Sequence, residues 1–248
     1  MIELKSASQI AKMRKAGRIV AETLELMRKS VREGITTLDL DRIAEEHIRK
    51  CGAVPAFKGY HGFPATLCTS VNEQVLHGIP GLRKLQTGDI ISIDCGAVID
   101  GYYGDAAITL PVGDISPQLH ELLRVTEESL LLGIAKANKG NRLYDISHAV
   151  QSYVEARGFS VVRDYVGHGI GKAMHEEPQI PNFGKPGRGP RLEVGMVLAI
   201  EPMVNVGTYE VETLADHWTV VTKDRRGSAH FEHTVVITEN GPEVLTRC

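Results

Sequence analysis

The 248-residue sequence has neither paired cysteines nor an excess of basic residues. Its four cysteines, Cys51, Cys68, Cys95 and Cys248, are widely separated and form no Cys-x-x-Cys pair. This spacing argues against a disulfide framework and against a thiolate zinc site. We therefore expect the protein to occupy a reducing, cytoplasmic environment.

Charge of neither sign dominates the chain. Lys and Arg number 28 and Asp and Glu number 31, which gives a formal net charge of -3. Nucleic-acid-binding domains usually carry an excess of positive charge, so DNA is not an expected partner. Apolar runs stay well below membrane-spanning length, and residues 1–5 do not open a secretory signal, so no membrane partner is expected either.

What the sequence does contain is a helix–helix–strand order that occurs twice. In the first copy, residues 6–9 form a capping-box pattern, and apolar side chains recur at intervals of four, three and four within residues 20–31. These intervals predict an amphipathic helix that Gly34 terminates. A second helix is predicted over residues 37–52, and it ends at its glycine.

The first copy continues with a predicted β-hairpin. Residues 90–94, Ile-Ile-Ser-Ile-Asp, have the composition of a buried strand, and residues 106–110, Ala-Ala-Ile-Thr-Leu, form a second such run. Asp100-Gly101 lies between the two runs and is typical of a turn. The hairpin would bring Asp105, at the start of the return strand, beside Asp94.

The second copy repeats this order. Ser116-Pro117 predicts the cap and first residue of a helix that Gly140 terminates. A shorter helix is predicted from about Tyr144 to Ala156. Three predicted strands follow, around Met196–Ile200, Trp218–Thr222 and Thr234–Thr238.

The two copies have a matching register. Gly34 and Gly140 are 106 residues apart, Asp94 and Glu201 are 107 residues apart, and residues 85–94 align without a gap on residues 192–201. The sequence therefore predicts an internally duplicated α+β fold with pseudo-two-fold symmetry and a cleft at the junction. Because only a short turn joins the copies, we predict one domain, residues 1–248, with halves of about 1–113 and 114–248.

Four carboxylates lie at the ends of predicted apolar strands: Asp94, Asp105, Glu201 and Glu232. Each of them, taken alone, is compatible with a capping or turn residue. Taken together, the duplication brings them to one axis, where four close carboxylates would repel one another strongly. A pair of divalent cations would remove that repulsion.

His168 is the candidate nitrogen ligand. It lies between glycines in Val166–Gly171, where the backbone can turn sharply and approach closely. A single buried histidine is more often structural. The Gly-His-Gly setting and the nearby His175-Glu176-Glu177-Pro178 favour the functional interpretation.

Seven short motifs occur in the order found in type I methionine aminopeptidases. They are His77-Gly78-Ile79-Pro80, Ile93-Asp94, Gly104-Asp105, Gly167-His168-Gly169-Ile170-Gly171, His175-Glu176-Glu177-Pro178, Ile200-Glu201-Pro202-Met203 and Phe231-Glu232-His233-Thr234. The chain therefore resembles the bacterial form of this family, from its first helix to Asn240-Gly241. The resemblance implies a pita-bread (creatinase/aminopeptidase) fold and a single catalytic domain.

The resemblance also implies a set of site residues. It implies two divalent metal ions per chain, with ligands Asp94, Asp105, His168, Glu201 and Glu232. The oxygen-rich ligand set suits Co, Mn, Fe or Zn without deciding among them. The catalytic residues would be His77, His175 and Glu201, where Glu201 shuttles a proton and the two histidines contact the substrate.

The implied substrate pocket comprises Tyr60, Phe63, Cys68, Met174 and Trp218, together with His77 and His175. Each apolar member is also compatible with an ordinary core position. Two positions depart from common family forms, because Ala106 follows Asp105 where Thr or Ser is frequent, and His217 precedes Trp218 where Gly is frequent. Both departures would affect the hydrogen bonds around the site more than ligation itself.

The implied function is removal of the N-terminal methionine from nascent polypeptides, preferentially when the second residue is small. The ribosome is a plausible partner on this interpretation, although no basic tail specifies it. Two alternatives stay open from the residues: an Xaa-Pro peptidase of the same fold, which uses a similar ligand set, and a non-catalytic pita-bread binding protein. Retention of every ligand position argues against the latter.

Overall fold

The computed structural model of the protein describes residues 2–248. Four α-helices occur in two pairs, and each pair precedes the main strands of its half. The helices are α1 (Ala7–Ser30), α2 (Thr37–Lys50), α3 (Pro117–Ile134) and α4 (Leu143–Glu155). The predicted helix–helix–strand order is thus present in both halves.

Fifteen β-strands are found in the part of the chain that the structure describes. Those of the first half are β1 (Val54–Pro55), β2 (Leu67–Val71), β3 (Gln74–Leu76), β4 (Ile90–Ile99) and β5 (Tyr102–Pro111). Those of the second half are β6 (Ser160–Val161), β7 (Gly167–Gly169), β8 (Glu176–Ile180), β9 (Val197–Ile200), β10 (Met203–Asn205), β11 (Val211–Thr213), β12 (Val220–Thr222), β13 (Ser228–His230), β14 (His233–Thr238) and β15 (Gly241–Val244).

The helix starts follow the capping signals in the sequence. The Ser6 hydroxyl accepts from the backbone N–H of Gln9 and completes a capping box, and Pro117 occupies the first turn of α3 behind Ser116. Two helix ends were predicted wrongly, since α1 ends at Ser30 rather than near Gly34, and α3 ends at Ile134 rather than near Gly140. Gly140 instead has a positive φ in the loop that leads to α4.

Strand β4 is the centre of the first sheet. It pairs with β5 along one edge and with β2 and β1 along the other, all antiparallel. In the hairpin, Asp94 lies opposite Ala107, and Asp105 lies opposite Gly96. Because side chains alternate between faces with a period of two, both aspartates project from the same face.

The second half contains the matching sheet, in the order β15-β14-β9-β7-β8. Two three-stranded sheets, β13-β10-β6 and β11-β12-β3, complete the fold. In the five-stranded sheet, β9 carries the run that ends before Glu201 and pairs with β14 and β7. This arrangement places Glu201, which directly follows β9, beside His168 on the neighbouring strand β7.

Backbone pairing confirms the duplication in detail. An isolated bridge joins Thr36 to Lys84, and its counterpart 106 to 107 residues later joins Arg142 to Arg191. The N–H of Gly34 donates to Leu85 at 2.8 Å, and that of Gly140 donates to Leu192 at 2.9 Å. The equal offsets seen in the sequence therefore reflect equivalent positions in the two halves.

The halves meet where β5 approaches the segment before β14. The N–H of Glu232 donates to the Ala107 carbonyl at 2.9 Å, and the N–H of Ala107 donates back at 3.4 Å. The Thr234 hydroxyl accepts from Asp105 N–H at 3.1 Å and donates to its carbonyl at 2.7 Å. Asp105 and Glu232 are thereby fixed close together at the junction of the two sheets.

The largest core cluster contains apolar residues of both halves, among them Ile91 and Ile93 from the first and Leu198 and Ile200 from the second. Helix α1 packs closely on β5 and contributes Ile19 and Val20 to this core cluster. No helix in residues 2–248 is long and apolar enough to cross a membrane.

Close contact between α1 and β5 predicts the effect of Gly104→Ala. A Cβ at residue 104 would lie 2.7 Å from the Gly17 nitrogen and 2.9 Å from the Ala16 carbonyl carbon. The helix backbone would have to move, so we expect the free energy of unfolding in urea to fall by about 1–3 kcal/mol. Gly81→Ala is the control, because a Cβ there meets no described atom within 4 Å. A stability loss equal to that control would contradict the prediction.

Candidate active site

One cavity of about 270 Å³ opens at the junction of the two halves. All twelve side chains that the sequence assigned to a site line it: Tyr60, Phe63, Cys68, His77, Asp94, Asp105, His168, Met174, His175, Glu201, Trp218 and Glu232. These residues come from strands and loops of both halves. Only the folded chain brings them together.

Five candidate ligands form the floor of the cavity. Potential ligand atoms of Asp105, His168 and Glu232 all lie within 4.8 Å of one another. The His168 Nε2 atom is 3.5 Å from Glu201 Oε1 and 3.8 Å from Asp105 Oδ2. Asp94 lines the same cavity, and Asp105 and Glu232 are 3% and 1% exposed. The arrangement is a compact, largely buried group of four carboxyls and one imidazole.

Burial and mutual repulsion make these carboxyls hard to ionise. Burial is the main cause that raises the pKa of Asp94 to about 7 and that of Glu201 to about 8. Burial, followed by the charges of neighbouring carboxylates, also raises the pKa of Asp105 and of Glu232 well above the ordinary range. In the metal-free protein, part of this group therefore holds protons at neutral pH.

The hydrogen bonding of the carboxyls is incomplete. Asp94 Oδ1, Asp105 Oδ1 and Glu232 Oε1 are buried and have no hydrogen-bond partner among residues 2–248. Such oxygens are costly in a folded protein. Carboxylate oxygens with a single imidazole suit a divalent cation, which would neutralise the charge and use the unpaired oxygens. The residues present therefore fit the metal ions that the sequence implied.

His168 is oriented as a metal ligand should be. Its Nδ1–H donates to the Gly169 carbonyl at 2.8 Å, which leaves a lone pair on Nε2 facing the carboxyls. Burial lowers its pKa to about 4, so the ring is neutral at physiological pH. The flanking glycines are needed because a Cβ at Gly167 would clash with the Ala199 carbonyl, and one at Gly169 would clash with Glu177.

Two further histidines stand above the ligand group. The His175 ring lies 4.3 Å from that of His168, and its Nδ1 is 2.8 Å from the Tyr60 hydroxyl. The centre of the His77 ring lies 6.3 Å from that of Trp218, and burial lowers the pKa of His77 to about 4. Both rings are placed to contact a molecule in the cavity.

The remaining wall is apolar. Phe63, Cys68 and Met174 are buried in one cluster, and Tyr60 and Trp218 pack against it. The Phe63 and Trp218 rings meet edge to face at 5.1 Å. This wall is lined by aromatic and sulfur-containing side chains, which can contact a flexible apolar group.

The two departures from family form have different surroundings. His217 has a φ of +64°, a left-handed conformation that glycine adopts more readily. The adjacent Asp216 carboxylate accepts from the N–H groups of Trp218 and Thr219 at 2.9 and 2.8 Å, which anchors this turn. Ala106 is buried in β5 and has no hydroxyl group. The hydroxyl that contacts the Asp105 backbone belongs to Thr234.

Sequence reasoning missed three polar residues and Phe57 at or near the cavity. Phe57, His61 and Tyr165 line it, and His230 lies next to a lining residue, with Nε2 3.7 Å from Glu201 Oε2. Position offered a signal for His230, because it precedes Glu232 by two residues in an extended segment. His61 directly follows Tyr60. Nothing in the local sequence marked Tyr165.

Comparison with known proteins shows the family of this chain. Residues 11–239 match the model of metallopeptidase family M24. The chain belongs to metallopeptidase family M24. A methionine aminopeptidase of Clostridium perfringens is 62% identical over 246 residues, which cover 99% of each chain.

Comparison with solved structures supports the same family and fold. The chain superposes on a methionine aminopeptidase of Thermotoga maritima with a TM-score of 0.99, at 50% identity and with 100% of both chains covered. A Pyrococcus horikoshii prolidase shares the fold, with a TM-score of 0.81 and 22% identity, but this chain covers only 63% of it. The resemblance to type I methionine aminopeptidases and the predicted pita-bread fold are confirmed.

The raised carboxyl pKa values predict how the stability of the metal-free protein depends on pH. Between pH 7 and 8, unfolded carboxylates are fully ionised, whereas the folded carboxyls of Asp94 and Glu201 still bind protons, since their pKa values are about 7 and 8. Stability therefore falls as pH rises, by about 1 kcal/mol or more across this range.

Urea unfolding of the metal-free protein at pH 7 and pH 8 measures this slope. Glu201→Gln is the matched variant, because it removes one of the titrating groups and should flatten the slope. A metal-free protein whose stability stays constant or rises between the two pH values would contradict the assigned pKa shifts.

Proposed function

We propose that the protein is a metal-dependent aminopeptidase that removes the N-terminal methionine from new polypeptides, preferentially when the second residue is small. The observation that carries the proposal is the group of buried, unpartnered carboxyl oxygens beside His168 at the floor of a half-apolar cavity. Relatives with the same fold at 50–62% identity are methionine aminopeptidases. The family supports metal dependence, and we infer two ions from the five ligands.

Asp94, Asp105, His168, Glu201 and Glu232 would hold the ions. Bound there, divalent ions supply a Lewis acid for the scissile carbonyl and lower the pKa of water. The ligand set is compatible with Co, Mn, Fe or Zn. A free substrate amine would offer these ions a further ligand that an internal peptide bond lacks, which would account for cleavage at the chain end.

The remaining roles belong to side chains of the protein. Glu201 accepts the proton of the attacking water and passes it to the leaving amine. His175, held at Nδ1 by Tyr60, directs its other nitrogen toward the developing oxyanion. His77 contacts the peptide group beyond the first residue.

The apolar wall provides the specificity in this proposal. Tyr60, Phe63, Cys68, Met174 and Trp218 surround an unbranched thioether side chain, and their packing against one another supports a preformed slot. A rigid slot orients the scissile bond over the ligand group, which contributes to catalysis by holding the reacting groups together.

We infer that residues 1–248 act as a single catalytic domain with halves of about 1–113 and 114–248. The shared core cluster and the mutual bonds of Ala107 and Glu232 support this inference. Because the substrate emerges during translation, we place the enzyme in the cytoplasm, with the N-terminal segments of nascent chains as its substrates and the ribosome as a candidate partner.

Peptide hydrolysis tests the substrate class. With Mn²⁺ or Co²⁺ loaded, we expect methionine release from Met-Ala-Ser, much slower release from Met-Leu-Ser, and none from Ala-Ala-Ser or from Xaa-Pro peptides. Chromatography of the released amino acid measures each rate. Cleavage of the Xaa-Pro peptides would favour the proline-peptidase alternative, and no hydrolysis with any metal would favour the binding protein.

Asp105→Ala and Glu232→Ala test the ligand assignment. Each replacement removes a ligand, so we expect metal uptake and peptidase activity to be lost together. The metal-free variants should be no less stable than the native protein, because a buried, unpartnered carboxyl has been removed. Calorimetric metal titration, peptide assays and thermal unfolding give the three readouts.

The control for this pair is Glu239→Ala, which removes an exposed carboxylate that pairs with Lys139 at 2.8 Å. It should match the native protein in metal uptake and activity. An Asp105 or Glu232 variant that binds metal as tightly as this control would refute the ligand role of that residue.

A further inference from the structure

His230 is a buried polar residue to which the proposed chemistry gives no role. It is 2% exposed, and its Nε2 atom has no hydrogen-bond partner in the described part of the protein. That atom lies 3.7 Å from Glu201 Oε2. A buried polar atom without a partner costs free energy, so an apolar residue would be more stable at this position.

Two imidazoles lie on either side of the Glu201 carboxylate. Oε1 is 3.5 Å from His168 Nε2, and Oε2 is 3.7 Å from His230 Nε2. His168 gives its only N–H to the Gly169 carbonyl, so the nitrogen that faces Glu201 carries a lone pair. His230 is therefore the one of the two that can offer Glu201 a hydrogen-bond donor.

The duplication independently places His230 at a site position. Ile91 of the first half pairs with Leu110, and Leu198, the equivalent of Ile91 in the second half, pairs with Val235. Leu110 and Val235 are therefore equivalent positions. Asp105 and His230 precede them by five residues each, so they are counterparts too.

The backbone contacts of the two counterparts match. Just as the Thr234 hydroxyl bonds to the backbone N–H and carbonyl of Asp105, the Thr109 hydroxyl accepts from His230 N–H and donates to its carbonyl, both at 2.8 Å. Each half thus fixes one polar residue at the junction through a threonine of the other half.

We propose that His230 is a positioning residue whose Nε2–H donates to Glu201 Oε2 and fixes the orientation of that carboxylate. Because N–H···O bonds are 2.7–3.2 Å long, the present gap must close by about 0.5–1 Å, a small rotation of either side chain. Hydrogen bonds of this kind orient carboxylate ligands and tune metal affinity. The inference rests on the proposed function for the role of Glu201, and it deepens that role.

Two replacements separate the donor from the space it occupies. His230→Gln keeps an N–H donor, whereas His230→Leu fills a similar volume without one. We expect the Leu variant to bind Mn²⁺ about 10–100-fold more weakly, with a similar fall in kcat on Met-Ala-Ser and little change in KM. The Gln variant should recover both quantities to within about threefold of the native protein, because it retains the donor.

The unfolding temperature of the metal-free protein distinguishes a positioning role for His230 from a structural one. Since the Leu variant removes an unpartnered buried atom, its metal-free form should unfold at the same temperature as the native protein or higher. A histidine kept only for packing or folding would instead lower that temperature on replacement. His233→Gln is the control for the loss of a histidine near the site. The His233 side chain hydrogen-bonds to Thr246 at 2.8 Å and does not line the cavity.

Native Mn²⁺ affinity and kcat in the Leu variant would overturn the proposal, and so would a Gln variant as impaired as the Leu variant. If the Leu variant does not fold, His230→Met gives the same comparison without a donor. Calorimetric titration with Mn²⁺ needs no turnover. A protein that cleaves no peptide would therefore refute the proposed function and still leave the affinity comparison to decide the role of His230.

Discussion

The structure depends on the burial of four carboxyl groups at the junction of two equivalent halves. Burial is the main cause that raises the pKa of Asp94 to about 7 and that of Glu201 to about 8. Buried oxygens of Asp105 and Glu232 have no hydrogen-bond partner within the described chain. A fold keeps such a group only when something compensates for it. Divalent cations, on which the proposed function depends, would compensate for it by neutralising the carboxylates.

Both halves of the duplicated fold contribute equivalent positions to this site. Each half supplies one acid at an equivalent position, Asp94 within β4 and Glu201 directly after β9, and the halves meet through paired backbone bonds between Ala107 and Glu232. Departures from symmetry then differentiate the two sides. Where one half has Asp105, the other has His230, and where one has Ala107, the other has Glu232. The equivalent backbone positions of the two halves place these side chains at the junction, and the side chains that differ between the halves give the site its chemical groups.

Hydrogen bonds and close backbone packing hold the histidine and aromatic side chains of the cavity in place. Gly167 and Gly169 allow the backbone to bring His168 close to neighbouring strands, and Asp216 anchors the turn that carries Trp218. Tyr60 restrains His175 through its hydroxyl. The side chains proposed to contact the substrate are thus held by hydrogen bonds and packing, which limits the reorganisation needed on binding.

The sequence by itself determined the helix order, the hairpin, the duplication and the five candidate ligands. Capping residues, strand periodicity and the equal offsets of Gly34–Gly140 and Asp94–Glu201 are local or pairwise signals that survive without coordinates. The early end of α3 at Ile134 and the place of His230 did not follow from them. Only the tertiary structure decided these points, because burial, hydrogen-bond partners and pKa values arise where distant segments pack together.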